Sequence, residues 1–216
     1  MSLRPVVLVT GPSGVGKSLF AQRTGLPVLR LDDFYKEGHD PTLPLLPDGS
    51  AVDWDSPLSW DADAAMEAVL ALATTGRAEP PRYDISTSSR VGVDHVDLGE
   101  APAFVAEGIF AAELIARCRE HGVLAEALCL RGKPMQTFRR RLWRDLREGR
   151  KSPFFLVRRG WMLMRAEHSI VERHRALGAR VCGKPEGYTL VEPFAQAPLV
   201  TTPVTPPVTT PLSTQG

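Results

Sequence analysis

The run Gly11-Pro-Ser-Gly-Val-Gly-Lys-Ser18 constrains the fold of this chain more than any other feature. It matches the pattern GxxxxGK[ST], follows an apolar run at residues 6–9 and precedes a helical pattern that ends before Gly25 and Pro27. In such a strand–loop–helix unit the glycines let successive backbone N–H groups point at phosphate oxygens, and the helix N-terminus favours an anion. The loop therefore predicts an ATP-binding α/β domain; the alternative is a glycine-rich turn that matches by chance.

Within this P-loop, the two residues that carry chemistry are adjacent. Lys17 is expected to reach the β- and γ-phosphates, and the hydroxyl of Ser18 is expected to bind Mg²⁺. The predicted cofactors are thus ATP and Mg²⁺. The residues predicted to bind the nucleotide are Gly11, Ser13, Gly14, Val15, Gly16, Lys17, Ser18 and Leu19.

Short apolar runs alternate with helical patterns along the rest of the chain, which is typical of a parallel sheet covered on both faces. Strands are predicted at residues 6–9, 28–31, 104–106, 127–130 and 179–182. Helices are predicted at residues 61–75 and 111–120, and a hairpin outside the main sheet at 83–98. This predicts a P-loop NTPase fold: three α/β/α layers, a mostly parallel five-stranded sheet, and a small β-hairpin insertion on the substrate side.

The 216 residues suit one such domain, predicted at residues 1–190, and its hydrophobic content of 43% is sufficient for a core of that size. Residues 191–216 are rich in Pro and Thr and are predicted to be a disordered tail. The loop at residues 182–185, after the last predicted strand, is interpreted as the adenine side of the nucleotide site.

Composition narrows the class of protein. The net charge of +1 argues against a nucleic-acid or membrane-surface partner, and three scattered cysteines argue against a disulfide framework or a zinc site. We therefore expect a cytoplasmic protein whose partner is a small molecule, and whether it forms a homo-oligomer stays open.

The chain has no Asn and so lacks the guanine-reading motif of Ras-like GTPases, and it lacks the signature motifs of transport ATPases and protein kinases.

Two carboxylates follow predicted strands and should reach the ligand edge of the sheet. Asp32 follows the second strand, where its carboxylate could accept the proton of an acceptor hydroxyl or orient that hydroxyl for attack. The alternatives are a helix N-cap and a solvated turn. Glu107 directly follows the strand at 104–106 and could hold Mg²⁺ directly or through water, with Asp32 and Ser18 as further candidate ligands.

A helical stretch at residues 134–148 is rich in arginine and leads to Gly149 and Arg150. It is interpreted as a lid, at about 139–160, whose arginines stabilise phosphoryl transfer as the site closes. The alternatives are a nucleic-acid-binding helix and a solvated helix face.

The segments LDDFY, DWDSP, YDISTSSR, EGIFA and RRRLWRDLREGR follow the P-loop in the order found in uridine kinases. From about residue 6 to residue 150, the sequence therefore resembles the uridine kinase and phosphoribulokinase family. The resemblance implies an acid that activates the acceptor hydroxyl at Asp32 and an acid near Mg²⁺ at Glu107. Ser88 stands where uridine kinases carry a His that helps to recognise the pyrimidine.

The resemblance also implies roles for side chains beyond the two acids. Asp55 and Arg90 fall in segments that hold the ribose, and Tyr83 matches an aromatic residue that contacts the base. The implied substrate-binding residues are Asp55, Tyr83, Ser88, Arg90 and Arg141. Arg141, Arg144 and Arg150 match arginines that close over nucleoside and phosphates, so that Asp32, Lys17, Arg144 and Arg150 form the implied catalytic set.

The sequence thus predicts an ATP-dependent kinase that phosphorylates a hydroxyl of a nucleoside-like acceptor. The alternatives are a kinase for another small alcohol, such as pantothenate or a sugar phosphate, an ATP-binding protein without nucleoside kinase activity, and a P-loop ATPase acting on nucleic acid.

Overall fold

A computed structural model of the chain describes residues 3–132 and 168–196, and the predicted lid with Arg141, Arg144 and Arg150 lies outside these residues. The strands of the central sheet are β1 (Val6–Thr10), β2 (Val28–Arg30), β7 (Phe104–Glu107), β8 (Leu124–Leu130) and β9 (Arg180–Cys182); β3 to β6 lie outside it. All five are parallel and lie in the order β2-β7-β1-β8-β9. All five predicted strands are therefore present, and the doubly wound order places β1 at the centre.

Helices cover both faces of this sheet. They are α1 (Lys17–Arg23), α2 (Ala62–Thr75), α3 (Ile115–Glu120), α4 (residues 168–176) and α5 (Lys184–Gln196). Strand β1 is buried along its whole length because its alternate side chains point into opposite layers. Val6 and Leu8 pack in a core with α2, α3 and α4, whereas Val7 and Val9 pack in a second core with α1 and α5. The predicted three-layer α/β/α fold is confirmed.

Helix α2 shows how local sequence sets an element's limits. The Asp61 carboxylate accepts a hydrogen bond from the backbone N–H of Ala64 at 3.0 Å, which caps the N-terminus. Gly76 adopts φ +79° at the other end, a left-handed conformation that glycine adopts without strain. The apolar stripe between them is buried against the sheet.

Two small antiparallel ribbons lie outside the main sheet, as predicted for residues 83–98. β4 (Pro81–Asp84) pairs with β5 (Ser89–Val93), and β3 (Arg77–Ala78) pairs with β6 (Val96–Asp97). They bring the region around Tyr83 beside the carboxyl end of β2, where the Asp33 carboxylate accepts a hydrogen bond from the backbone N–H of Tyr83 at 3.4 Å.

The boundary predicted for the tail, at residue 191, falls inside helix α5. The helix continues to Gln196 despite Pro193 because its apolar side packs on the core. The ring of Tyr188 stacks on Phe20 with centroids 4.5 Å apart, and Val191 is buried. In the described part of the chain, no helix has the length and apolar character needed to cross a membrane.

Candidate active site

The P-loop curls between the end of β1 and the start of α1. Gly11, Gly14 and Gly16 adopt φ values of +135°, +78° and +91°, which side-chain-bearing residues rarely adopt. At Gly11 a Cβ would also run into the backbone carbonyl of Leu130. Gly16 is the N-cap of α1 and supplies no side-chain cap, which suits a helix end whose N–H groups serve a bound anion.

The predicted nucleotide-binding side chains divide between the inside and the outside of this loop. Val15 is buried, and Lys17 is buried with its Nζ donating a hydrogen bond to the Gly11 carbonyl at 3.1 Å. Ser13, Ser18 and Leu19 are exposed. The amine of Lys17 thus lies inside the curl of the loop, where phosphates bind in such loops.

Glu107, the last residue of β7, is the most confined acid of the site. It pairs in register with Val9 of β1 on one side and Arg30 of β2 on the other, and it is only 3% exposed. Burial raises the pKa of its carboxyl group; a hydrogen bond from the Ser18 hydroxyl opposes the rise, and the nearby charge of Asp32 adds to it. Its Oε2 atom is buried without any hydrogen-bond partner. A buried oxygen of this kind fits a cation ligand.

Asp32 and Asp33 follow β2 in a 3₁₀ turn, Leu31–Phe34, that points the two carboxylates in different directions. Asp32 Oδ1 accepts a hydrogen bond from the backbone N–H of Ile109 at 2.9 Å. Asp33 is buried and faces Arg30 and β4; burial raises its pKa, and the charge of Arg30 opposes this. Asp32 is therefore the member of the pair that lies beside Glu107.

Five aromatic rings form a cluster next to Asp32. We use "the aromatic cluster" for Tyr35, Trp54, Trp60, Tyr83 and Phe110, whose neighbouring ring centroids are 5.8–5.9 Å apart. The indole N–H of Trp60 donates to the Leu31 carbonyl at 2.7 Å, which fixes the cluster to the end of β2. Burial, with the charges of Asp32 and Asp55, raises the pKa of Tyr35. The cluster thus forms an apolar wall directly beside a carboxylate.

The other substrate-binding residues implied by the sequence lie around this cluster, already held by protein contacts. The Tyr83 hydroxyl donates to the Lys36 carbonyl at 3.0 Å, and its oxygen accepts a hydrogen bond from the Ser88 hydroxyl. Ser88 has φ +49°. Arg90 pairs with Asp61 at 3.3 Å, and Asp55 is exposed.

No family model matches the chain. The Arabidopsis thaliana protein named inorganic pyrophosphatase TTM2 is 29% identical over 111 residues, which cover 49% of this chain. The chain spans only 15% of the length of that relative.

Among solved structures, a candidate fructose transport system kinase from Silicibacter sp. TM1040 has a TM-score of 0.57 and 19% identity, with 84% of this chain and 88% of the other covered. The chain therefore has a P-loop kinase-like fold. A possible uridine kinase from Bacillus stearothermophilus matches with a TM-score of 0.43 and 20% identity, covering 67% of this chain and 79% of the other. The protein YGR205w matches with a TM-score of 0.48 and 14% identity, covering 86% and 88%.

The structure places two further side chains beside the P-loop, and the sequence gives neither of them a role of its own. Lys184 follows β9, and a Cβ built on Gly16 would lie 2.5 Å from its Nζ, so its amine lies against the P-loop. Lys184 belongs to the segment 182–185 that the sequence assigns to the adenine side of the nucleotide site, and in the structure it begins helix α5. His174 is buried at the end of β1, whereas His168 of the same helix is exposed. Helical spacing alone does not reveal which layer a histidine faces.

Proposed function

We propose that this chain is an ATP-dependent kinase that transfers the γ-phosphoryl group to a hydroxyl of a small, nucleoside-like acceptor. One observation carries the proposal. Asp32 and Glu107 follow or end adjacent strands and lie beside the P-loop. Asp32 is held by a hydrogen bond to one of its carboxylate oxygens, whereas Glu107 is buried and its Oε2 has no hydrogen-bond partner. A mere ATP-binding site has no need of the first carboxylate, whereas phosphoryl transfer to an alcohol uses one.

The phosphate side of the site fits ATP with Mg²⁺. The curled loop offers backbone N–H groups, and Lys17 offers a buried ammonium. Glu107 and Ser18 are the residues that would hold the metal, with Asp32 close by. Among the residues that the structure describes, no three of His, Cys, Asp and Glu are grouped for metal binding. When bound, Mg²⁺ neutralises charge on the transferred group.

Asp32 is the residue that would handle the acceptor. With Oδ1 held by Ile109 N–H, its Oδ2 is the oxygen that can receive the acceptor hydroxyl. In the proposed step the hydroxyl proton passes to Asp32, the acceptor oxygen bonds to the γ-phosphorus, and the bond from that phosphorus to the bridging oxygen of ADP breaks. Lys17 holds the phosphates in line during this exchange.

The aromatic cluster supports an acceptor with a flat, apolar portion. Rings such as Tyr35 and Tyr83 can stack on a nucleobase while Asp32 holds a hydroxyl at the other end. A second candidate acceptor is a sugar or sugar phosphate. Ser88, at the position where uridine kinases have a His, hydrogen-bonds within the protein to Tyr83, and the first structural neighbour is named for fructose transport.

A panel of acceptors tests the proposal. ADP formation is measured with nucleosides, sugars, sugar phosphates and pantothenate, for the wild type and for the matched variants Asp32→Asn and Asp33→Asn. We expect one class to stimulate ADP formation, Asp32→Asn to lose the stimulation by on the order of 10² to 10⁴, and Asp33→Asn to keep it. ADP formation that no acceptor stimulates would refute a small-molecule kinase, and stimulation by RNA or DNA would indicate a nucleic-acid ATPase.

A further inference from the structure

His174 is a buried side chain at the phosphate end of the sheet that the proposed reaction does not use. It belongs to α4, is 4% exposed, and its Nδ1 lies 3.2 Å from the hydroxyl of Thr10 and 3.7 Å from the sulfur of Cys129. Thr10 is the last residue of β1 and immediately precedes the P-loop. A second contact holds α4 in place: Arg173 pairs with Glu113 at 2.6 Å.

The hydrogen-bond partners determine which atom carries each proton. The Thr10 hydroxyl donates to the Ile109 carbonyl at 3.2 Å, and a hydroxyl has one hydrogen to give. The proton between Thr10 and His174 therefore belongs to the histidine, whose Nδ1–H donates to the Thr10 oxygen. Burial lowers the pKa of the His174 ring to about 4, so the ring is neutral at pH 7 and its single proton is on Nδ1.

Ile109 links this pair to the candidate catalytic acid. Its carbonyl accepts from Thr10, and its N–H donates to Asp32 Oδ1 at 2.9 Å, so one residue's backbone is held from both sides. The fit is close, since a Cβ on the neighbouring Gly108 would lie 2.8 Å from the same Asp32 oxygen. The resulting order of contacts is His174, Thr10, Ile109, Asp32.

We propose that His174 and Thr10 are positioning residues that orient Asp32 through the backbone of Ile109. This rests on the proposed function for the role of Asp32. Helix α4 follows the arginine-rich segment in the sequence, so the contacts tie the chain just beyond that segment to the acid that receives the acceptor. The chain of contacts acts on the position of a carboxylate oxygen of Asp32, and none of its hydrogen bonds is made by the side chain of Lys17 or Glu107.

Steady-state kinetics on paired variants test the proposal. His174→Leu removes the hydrogen bond to Thr10, and Thr10→Val removes this bond together with the bond to Ile109. Each variant is expected to lower kcat roughly 10-fold, which is less than the ~10²-fold loss that a 1 Å misplacement can cause. KM for ATP is expected to stay within about 2-fold of the wild-type value. His174→Asn, whose amide N–H can stand where Nδ1–H stands, and Thr10→Ser are expected to recover most of kcat. The double variant should be no slower than the slower single variant, because both changes break one chain.

Cys118→Ala is the matched control, since it also alters a fully buried side chain of the same core but contacts Met66 instead of Thr10. It should leave kcat unchanged at temperatures where every variant is folded. Unchanged kcat in His174→Leu, or penalties of His174→Leu and Thr10→Val that multiply in the double variant, would overturn the proposal.

A readout that needs no enzymatic activity separates this inference from the proposed function. In ¹⁵N NMR of the whole chain, the His174 ring should carry its proton on Nδ1, and the Ile109 amide should exchange with solvent faster in His174→Leu than in the wild type. A proton on Nε2, or unchanged exchange of Ile109, would refute the positioning chain even if the protein is a kinase. The expected NMR result with no acceptor phosphorylated would instead refute the function and leave the contact chain in place.

Discussion

His174 makes the stability of this protein depend on pH in a way that can be calculated. Burial lowers the pKa of its ring from 6.5 to about 4, and the nearby charges of Arg173 and Lys17 act in the same direction. At pH values between these two pKa values, the ring binds a proton in the unfolded chain and stays neutral in the folded chain. Stability from this group is therefore fully present above the unfolded value and is lost as pH falls towards the folded value.

The size of the effect follows from the two pKa values. Lowering the pH from about 7 to about 5 should cost the folded state about 2 kcal/mol through this one group. The variant His174→Asn has no ring to titrate, so its free energy of unfolding should lack this slope even if the variant is less stable at every pH. Other buried acids, such as Glu107, titrate in both proteins and drop out of the difference.

Urea denaturation of the wild type and His174→Asn across this pH range measures the difference directly. His168→Asn, which removes an exposed histidine from the same helix, is the matched control and should keep the wild-type slope. Parallel stability curves for the wild type and His174→Asn would show that the ring is protonated or solvated in the folded protein, and the reasoning from burial would be wrong.

Three further predictions concern the loop, the second lysine and the ribbon beside the site. Gly11→Ala should abolish nucleotide binding in calorimetry, because its Cβ clashes with backbone in addition to the roughly 1–3 kcal/mol of strain at positive φ. The control Gly25→Ala has φ +76° and open space around it, so it should lower stability but leave nucleotide binding unchanged. Lys184→Met should weaken MgATP binding roughly 5-fold, about 1 kcal/mol. The control Lys36→Met, whose amine donates to the Thr42 hydroxyl, should not. Asp33→Ala should destabilise the protein by about 1–3 kcal/mol in urea because it leaves the β4 amide unpaired, with a smaller loss for Asp33→Asn; equal losses would contradict this.

The sequence predicts much of the fold because its signals are local. Strand β1 has five consecutive buried residues and a glycine loop after it, so both the parallel sheet and the phosphate site follow from a short stretch of chain. The capping pair Asp61 and Gly76 likewise marks helix α2 almost to the residue. Helix α5 is not among the predicted helices. Pro185 and Pro193 argue against a helix locally, whereas packing of Val191 on the core favours one.

The candidate site was predictable where a motif sets the position of a residue on a strand end. Lys17 and Ser18 follow from the P-loop motif. Asp32 and Glu107 follow from the rule that parallel strands present their carboxyl ends to the ligand. The contact of His174 with Thr10 joins residues that are 164 positions apart in the sequence, and no local pattern encodes it. The split roles of the adjacent acids after β2 depend on a 3₁₀ turn that sequence patterns do not specify.

Direct observation of phosphoryl transfer tests the central claim. The chain is incubated with Mg²⁺, ATP labelled in the γ-phosphoryl group and one acceptor at a time, and the products are separated and identified. The account predicts that label appears on a hydroxyl of one acceptor class in amounts equal to the ADP formed, and that Asp32→Asn loses this transfer while it still binds ATP. Label found only in inorganic phosphate, with every acceptor left unmodified, would contradict the account.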